Sequence, residues 1–593
     1  MTLHKRLRSA TILLALAFSF TGFGSAAAGP APADDLVGLW EAKRQFGPEI
    51  TGTLALARIG RNWRAEIAGF RIQANIQDGA VSFALPGDRG SFRGRLTKDG
   101  TRVKGHWIQP RMVRVGLAEA SPVTLLARGP NRWVGDIQPM KDTYTFYLVI
   151  RKRPDGSTGA FLRNPDRNLG VFTNIDRVVR DGNDLEFIGT FFNRQPEKVM
   201  LKGVYDPRWD TFRVYINNRG GSYDFRRVDD DPASPFYGRG KDPKPLRYHR
   251  PTRLDDGWKT ASLKEVGISF GPIREMIEKE IDPPAANVHA QYVHGLLIAR
   301  HGKLVFEEYF HGYTRETAHD TRSASKSLTA VLVGAAIESG VPLSTSSPVY
   351  ETIYGAEMPA NLDPRKERMT LEHLLTMSSG YFCDDSDPKA PGNEETMQEQ
   401  EAEPDWYKYT LALPMAMAPG EKAIYCSVNP NLIGAVLSAA SGQTLPELFQ
   451  SLIAEPLQMK EYHLMLQPTG EPYMGGGIHW LPRDFAKLGQ LMLNGGVWNG
   501  RRVISKAWAE RSISKLYEIR GRQYGYLWWI QTFPYKEREV RAFMAGGNGG
   551  NVIIAVPELD LVVTFFGGNY SDRVLFRVQD VLFPEYILAA VEE

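Results

Sequence analysis

The sequence predicts an α+β protein: an all-β N-terminal region followed by a C-terminal region of mixed helices and strands. Three observations lead there. Alternating apolar and polar segments, bounded by Asp-Gly turns, fill residues 35–228. A stretch rich in Asp, Pro, Lys and Arg, residues 229–257, reads as an extended linker. Beyond it, in residues 258–593, helical runs lie between strands at both ends of the segment. A chain of 593 residues is long enough for two or three domains. With 42% hydrophobic and 23% charged residues it has the composition of a globular protein. A net charge of +3 is too small for this length to imply nucleic acid as a partner. A small-molecule or peptide substrate is the partner expected.

The first 28 residues read as a signal peptide. Lys5, Arg6 and Arg8 form a positive start, Ala10 to Phe23 an apolar core, and Ser25-Ala26-Ala27-Ala28 a small-residue cleavage region. The apolar core is shorter than a membrane span, so no stable span is expected after cleavage; an uncleaved anchor is the alternative. The protein is therefore expected to be exported, to the periplasm or beyond. Cys383 and Cys426 are the two cysteines. In an oxidising compartment they are free to form a disulfide, and two buried thiols are the other reading. They do not make a standard zinc site, and no metal or organic cofactor is expected.

In the β region, Thr53–Ala57 and Phe146–Ile150 alternate as strands do. Turns are signalled at Asp78-Gly79, Asp99-Gly100, Asp155-Gly156 and Asp181-Gly182. A faint repeat is present. Gly38-Leu39-Trp40, Asp78–Phe83 and Phe92–Leu96 form one copy; Trp133–Asp136, Tyr147–Ile150, Asp181–Phe187 and Leu201–Tyr205 form the other. Two small barrels or sandwiches, or one larger twisted sheet, fit this pattern. The polar, turn-prone run Leu162–Gly170 reads as a surface loop, with a reach into the catalytic cleft as the second possibility. Helices are expected at Pro272–Lys279, Leu371–Met377, Asn431–Ser441 (closed by Gly442), Leu445–Ala454 and Asp484–Leu493. Strands are expected at Tyr524–Ile530, Arg541–Met544, Asn551–Val556 and Leu561–Phe566, then a helix over Leu575–Val591.

The chemistry is carried by three short motifs. Ser323-Ala324-Ser325-Lys326 sets a hydroxyl and an amine one helical turn apart, where an amine helps to activate a serine. The apolar run Leu328, Val331, Leu332, Ala335 places the serine at the start of a buried helix, whose dipole favours developing negative charge. Alone, the pair also reads as an N-cap serine and a solvated lysine. Tyr425-Cys426-Ser427 precedes a second apolar helix, and a phenol near an ammonium is able to act as general base and then acid. A tyrosine packed on a helix start is the plainer reading. Gly546-Gly547-Asn548-Gly549-Gly550 lies between two strands, where a strand-edge N–H could join the Ser323 N–H in an oxyanion hole; a hairpin is the plainer reading.

Taken together, these motifs resemble the serine β-lactamase and penicillin-binding-protein superfamily from about Trp258 onward. The similarity is strongest to the class C-like branch with its esterases, D-aminopeptidases and nylon-oligomer hydrolases. Arg322–Ser327, Leu371–Gly380, Pro419–Ser427 with Leu432–Gly434, Pro456–Met459, Gly475–Gly477 and Pro557–Val563 carry it, in the family's order. The resemblance implies an antiparallel sheet flanked by helices with a helical subdomain. It implies Ser323 as the acylated nucleophile, Lys326 as the centre of the proton network and Tyr425 as base then acid. It also implies a substrate and oxyanion subsite of Ser323, Gly547, Asn548 and Ser427. Two departures stand out. The family's charged third-motif position is Ala545, and its Tyr-x-Asn is Tyr425-Cys426-Ser427. Both suit ester or amide hydrolysis better than recognition of a β-lactam carboxylate. A β-lactamase or D-alanyl peptidase, and a non-catalytic binding or sensor protein on this fold, are the alternatives. A Ser-His-Asp triad through His301, His373 or His479 is disfavoured, because no G-x-S-x-G elbow frames a serine.

Overall fold

The computed structural model describes residues 31–592, apart from 112–116, 166–169, 171–172, 192–195 and 218. The expected signal peptide lies outside the described residues.

The N-terminal region is two closed β-barrels, because in each the terminal strands of the sheet also pair with a neighbour that closes the ring. The first runs from Gly52–Ile59 to Arg132–Ile137; the second takes Gly38–Gln45 and the strands from Thr143–Lys152 to Gly221–Arg227. The copies read from the repeat are thereby corrected at their first strands. Trp133 pairs with Leu56 and closes the first barrel, whereas Trp40 pairs with Leu148 in the second. Closure decides this, since it pairs strand edges that a split repeat would leave open. Leu54, Phe92, Trp107 and Leu125 fill the first barrel; Trp40, Phe146, Phe187 and Phe212 fill the second.

The first barrel is joined to the C-terminal region by strand pairing. Strand Ala118–Ala127 pairs with Tyr462–Leu466, so one sheet continues from the barrel into that region. Its buried polar groups are matched across the seam: His106 Nε2 meets Tyr462 Oη at 2.9 Å and Ser121 Oγ meets His463 Nδ1 at 2.7 Å. The stretch 229–257 contains no helix or strand, yet Phe236 and Leu246 are buried within it. The expected surface loop at 162–170 is corrected in its first half. Leu162, Arg163 and Asn164 are buried, and 166–169 lie outside the described residues. Arg163 is held because its guanidinium stacks 4.6 Å above Tyr292 and donates to the Asn287 and Ala290 carbonyls at 3.2 Å each.

The C-terminal sheet has nine strands, ordered from Lys259–Thr260 through Lys303–Tyr309, Val293–Arg300, Leu561–Gly567, Asn551–Val556, Arg538–Gly547, Trp529–Tyr535 and Arg522–Tyr524 to Tyr517–Ile519. All its pairings are antiparallel except that of the short first strand. Both faces are covered, which explains the unbroken apolar run Leu296–Ala299. Leu297 and Ala299 face the core under helix Lys326–Glu338, while Leu296 and Ile298 face the core under Phe270–Met276 and Val578–Leu588. The helical subdomain includes Leu371–Leu375, Trp406–Ala412 and Val428–Ser441, the last ended by left-handed Gly442.

One expected element is corrected. The strand Tyr524–Ile530 is broken by a turn at Gly525–Trp528, with Leu527 at φ 58°. The expected terminal helix is present, as a 3-10 turn, Arg573–Phe576, followed by a π-wound helix, Val578–Leu588, with Pro584 inside it. Among the described residues no helix is long and apolar enough to cross a membrane.

Arg163 tests how the second barrel is held to the segment 287–292. Arg163→Ala should lower the unfolding free energy by about 2–4 kcal/mol, through lost packing and two unsatisfied carbonyls. Arg213→Ala, which removes an exposed ion pair with Asp224, should leave the melting temperature unchanged. Equal shifts in a thermal melt would remove the anchoring role.

Candidate functional site

Ser323 lies in the 3-10 turn Arg322–Ser325, which runs directly into helix Lys326–Glu338. That helix is apolar nearly all round because it is buried on nearly all sides. The turn is strained: Arg322 has φ 48°, a left-handed conformation costly for a side-chain-bearing residue. Asp320 holds it there, since its Oδ1 accepts from Arg322 N at 3.0 Å and its Oδ2 pairs with Arg322 Nε at 2.9 Å. Trp480 Nε1 donates to Thr321 Oγ1 at 2.8 Å, and Tyr570 Oη donates to the Asp320 carbonyl at 2.8 Å. These bonds leave Ser323 half-buried at a cavity wall.

Lys326 is 1% exposed. Its Nζ donates to Ser323 Oγ at 2.7 Å and to the Gly475 carbonyl, and sits 5.2 Å from the centre of the Tyr425 ring. Burial works against its charge. The negative potential of Tyr425, Glu394 and Asp385 outweighs that penalty, so Lys326 is held above the ordinary lysine value. The Gly475–Gly477 loop approaches closely because it carries no side chains there; a Cβ on Gly476 (φ 149°) would lie 3.1 Å from the Arg322 carbonyl carbon.

Tyr425 stacks on Trp529 with ring centres 5.5 Å apart. Its neighbour Ser427 is fully buried, and its Oγ and N donate to Asp385 Oδ2 at 2.6 and 2.9 Å. Ser427 thus faces Asp385 and does not line the cavity that Ser323 and Tyr425 share. Asp385 and Glu394 are the groups that sequence reasoning missed. Burial, reinforced by the Glu394 charge, pushes the Asp385 carboxyl up to about 7. Glu394 Oε1 in turn accepts from Tyr473 Oη at 2.6 Å. No motif marks these two carboxylates. The one available signal was the cysteine pair: Cys383 and Cys426 are bridged, which ties the segment carrying Asp385 to the segment carrying Tyr425.

The third motif ends strand Arg538–Gly547. Its neighbour Trp529–Tyr535 stops opposite Met544, so Ala545, Gly546 and Gly547 present a strand edge unpaired on that side. This edge meets the serine turn so closely that a Cβ on Gly547 would lie 2.2 Å from the Thr321 carbonyl and 2.8 Å from Ala324 N. Asn548 lines the cavity, while its Oδ1 accepts from Ser571 N at 2.7 Å. Ser323, Tyr425, Gly547 and Asn548 therefore share one cavity of about 260 Å³, and Lys326 lies beneath it. None of His301, His373 and His479 lines it. His301 pairs with Asp560, and His373 accepts from Thr370 N in a capping box.

The Beta-lactamase family profile matches residues 286–568. The C-terminal part of the chain is a β-lactamase-family domain. A 6-aminohexanoate-dimer hydrolase of Paenarthrobacter ureafaciens is 27% identical over 222 residues, which is 36% of this chain and 55% of that protein. The chain thus spans about half the length of that relative. Among solved structures, a penicillin-binding protein from Bacillus halodurans aligns with a TM-score of 0.38 at 18% identity, over 49% of this chain and 95% of that one. EstCE1, a hydrolase with promiscuous acyltransferase activity, aligns with a TM-score of 0.40 at 17% identity, over 49% and 95%. The β-lactamase-family match belongs to the C-terminal part and leaves the barrels outside it.

The raised Asp385 carboxyl has a stability consequence. A carboxyl whose folded value lies above its unfolded one stabilises fully at low pH, and that contribution is lost as pH rises through the folded value. Wild-type stability should therefore fall between about pH 4 and pH 7 relative to Asp385→Asn, which carries no titrating proton. Parallel melting curves for the two proteins over that range would show that Asp385 is an ordinary carboxylate.

Proposed function

We propose that this protein is an exported serine hydrolase that cleaves an ester or amide through an acyl-enzyme on Ser323. The observation that carries the reading is the 2.7 Å hydrogen bond from Lys326 Nζ to Ser323 Oγ, made by a buried ammonium. An ammonium does not take up a proton, so Lys326 is assigned to orientation and charge and not to proton abstraction. The base is assigned to the Tyr425 side chain, whose ring lies 5.2 Å from the Lys326 ammonium and whose oxygen takes the Ser323 proton as Oγ attacks the carbonyl carbon. The developing oxyanion is assigned to the backbone N–H groups of Ser323 and Asn548, on either side of the cavity. The same proton then passes from Tyr425 to the departing alkoxide or amine. Water, deprotonated by Tyr425, releases the acyl group and restores the serine.

Ala545 supports the ester or amide assignment over β-lactam hydrolysis, because no charge is offered from that strand edge. The disulfide supports export, since such bridges persist in oxidising compartments.

Ser323→Ala should abolish both labelling by a fluorophosphonate and turnover of a 4-nitrophenyl ester. Tyr425→Phe should lower kcat by about 10²–10⁴ with little change in KM. Labelling that persists in Ser323→Ala would overturn the assignment, and faster turnover of nitrocefin than of any ester would replace it with β-lactam hydrolysis.

A further inference from the structure

We propose that the cavity beside Ser323 selects substrates carrying a carboxylate, read by Arg522 with Arg520 at the rim. This inference rests on the hydrolytic reading of the same site. The loss of charge at Ala545 argues only that an anion is not read from that strand. The cavity is nevertheless cationic, because two arginines line it and no Asp or Glu does.

The two arginines differ. Arg520 is half-exposed and already met by Asp384 Oδ1 at 3.4 Å, with its guanidinium 5.6 Å from the Tyr425 ring. Arg522 has no ion pair among the described residues. With the Gln579 amide turned so that its oxygen faces the guanidinium, Gln579 Oε1 accepts from the two terminal nitrogens at 3.0 and 3.2 Å, and the Phe576 ring lies 5.8 Å away. A neutral amide leaves the charge uncompensated and leaves further guanidinium N–H groups free, in the planar array that suits a carboxylate.

Its placement follows from the sheet. Arg522 and Tyr524 point to one face of their short strand. Tyr524 pairs with Trp529, and Trp529 with Met544, which sets Arg522 on the wall formed by Trp529 and Met544. Val552, Leu575 and Phe576 continue that wall. An apolar wall with low polarisability strengthens a charge set at its edge. The matching ligand has an apolar stretch between the scissile carbonyl and a terminal carboxylate, as in the monoester or monoamide of a short dicarboxylic acid. The competing explanation is that Arg522 only anchors the C-terminal helix through Gln579 and Phe576. That role would affect every substrate alike.

Two esters of equal length separate these. Wild-type protein should hydrolyse mono-4-nitrophenyl glutarate with a kcat/KM about tenfold or more above that for 4-nitrophenyl valerate, the difference lying in KM. Arg522→Gln should bring the ratio near one, and Arg522→Lys should keep part of it. A ratio unmoved by Arg522→Gln would overturn the proposal. A second arm needs no turnover. Ser323→Ala protein, titrated calorimetrically, should bind N-phenylglutaramic acid about tenfold more tightly than N-phenylvaleramide, and Arg522→Gln in that background should erase the difference. Equal binding of the two would overturn the anion site, whereas selective binding without ester turnover would count against the hydrolytic reading alone.

Discussion

A buried ammonium is the constraint on which this structure turns. Lys326 is placed by its own helix at the bottom of the cavity, where water does not solvate it. Leaving such a charge unpaired would cost several kcal/mol. The surrounding chain supplies what water would have: the Ser323 hydroxyl, the Gly475 carbonyl, the face of Tyr425, and the negative potential of Asp385 and Glu394. They come from four stretches of sequence: the serine turn, the Gly475–Gly477 loop, the segment of Tyr425, and the segment that carries Asp385 and Glu394. The site therefore exists only when the helical subdomain, the serine turn and the Gly475–Gly477 loop are assembled together.

The remaining architecture makes that assembly rigid. The 43-residue separation closed by Cys383–Cys426 sets Asp385 against Ser427 and Tyr425; in the chain-entropy account a loop of that size stabilises by about 4 kcal/mol. The nine-stranded sheet ends one neighbour at Met544, leaving the glycine edge free to approach the serine turn. Glycine at 547 is required by that approach, since any side chain would strike the Thr321 carbonyl. The first barrel reaches the same region indirectly. Its seam runs through Tyr462–Leu466, which pairs with Ile478–Trp480, and Trp480 bonds to Thr321 next to the serine turn.

Much of this was legible in the sequence, for physical reasons. Ser323 to Lys326 is read from one helical turn of spacing, and the glycine edge from residue type alone. The all-β and mixed regions follow from period-two alternation against helical spacing. What escaped depends on distant partners. Trp40 and Trp133 were expected in the opposite barrels, because a repeat does not say which strand closes which ring. Asp385 and Glu394 lie in a segment of ordinary acidic composition, and only burial makes them unusual. Ser427 follows the family's pattern by position, yet its hydroxyl is taken by Asp385. Arg522 lies in a short hairpin strand, and nothing local marks it as facing the cavity.

The central claim is that Lys326 stays charged while buried against Ser323. The most direct measurement is a pH titration of the protein carrying ¹³C-labelled lysine side chains, with the Lys326 Cε resonance assigned by its loss in Lys326→Ala. A charge held by Tyr425, Glu394 and Asp385 keeps that resonance at its ammonium position beyond the 10.5 of an ordinary lysine. A Lys326 resonance that titrates near neutral pH would contradict it, and would make the lysine itself the base.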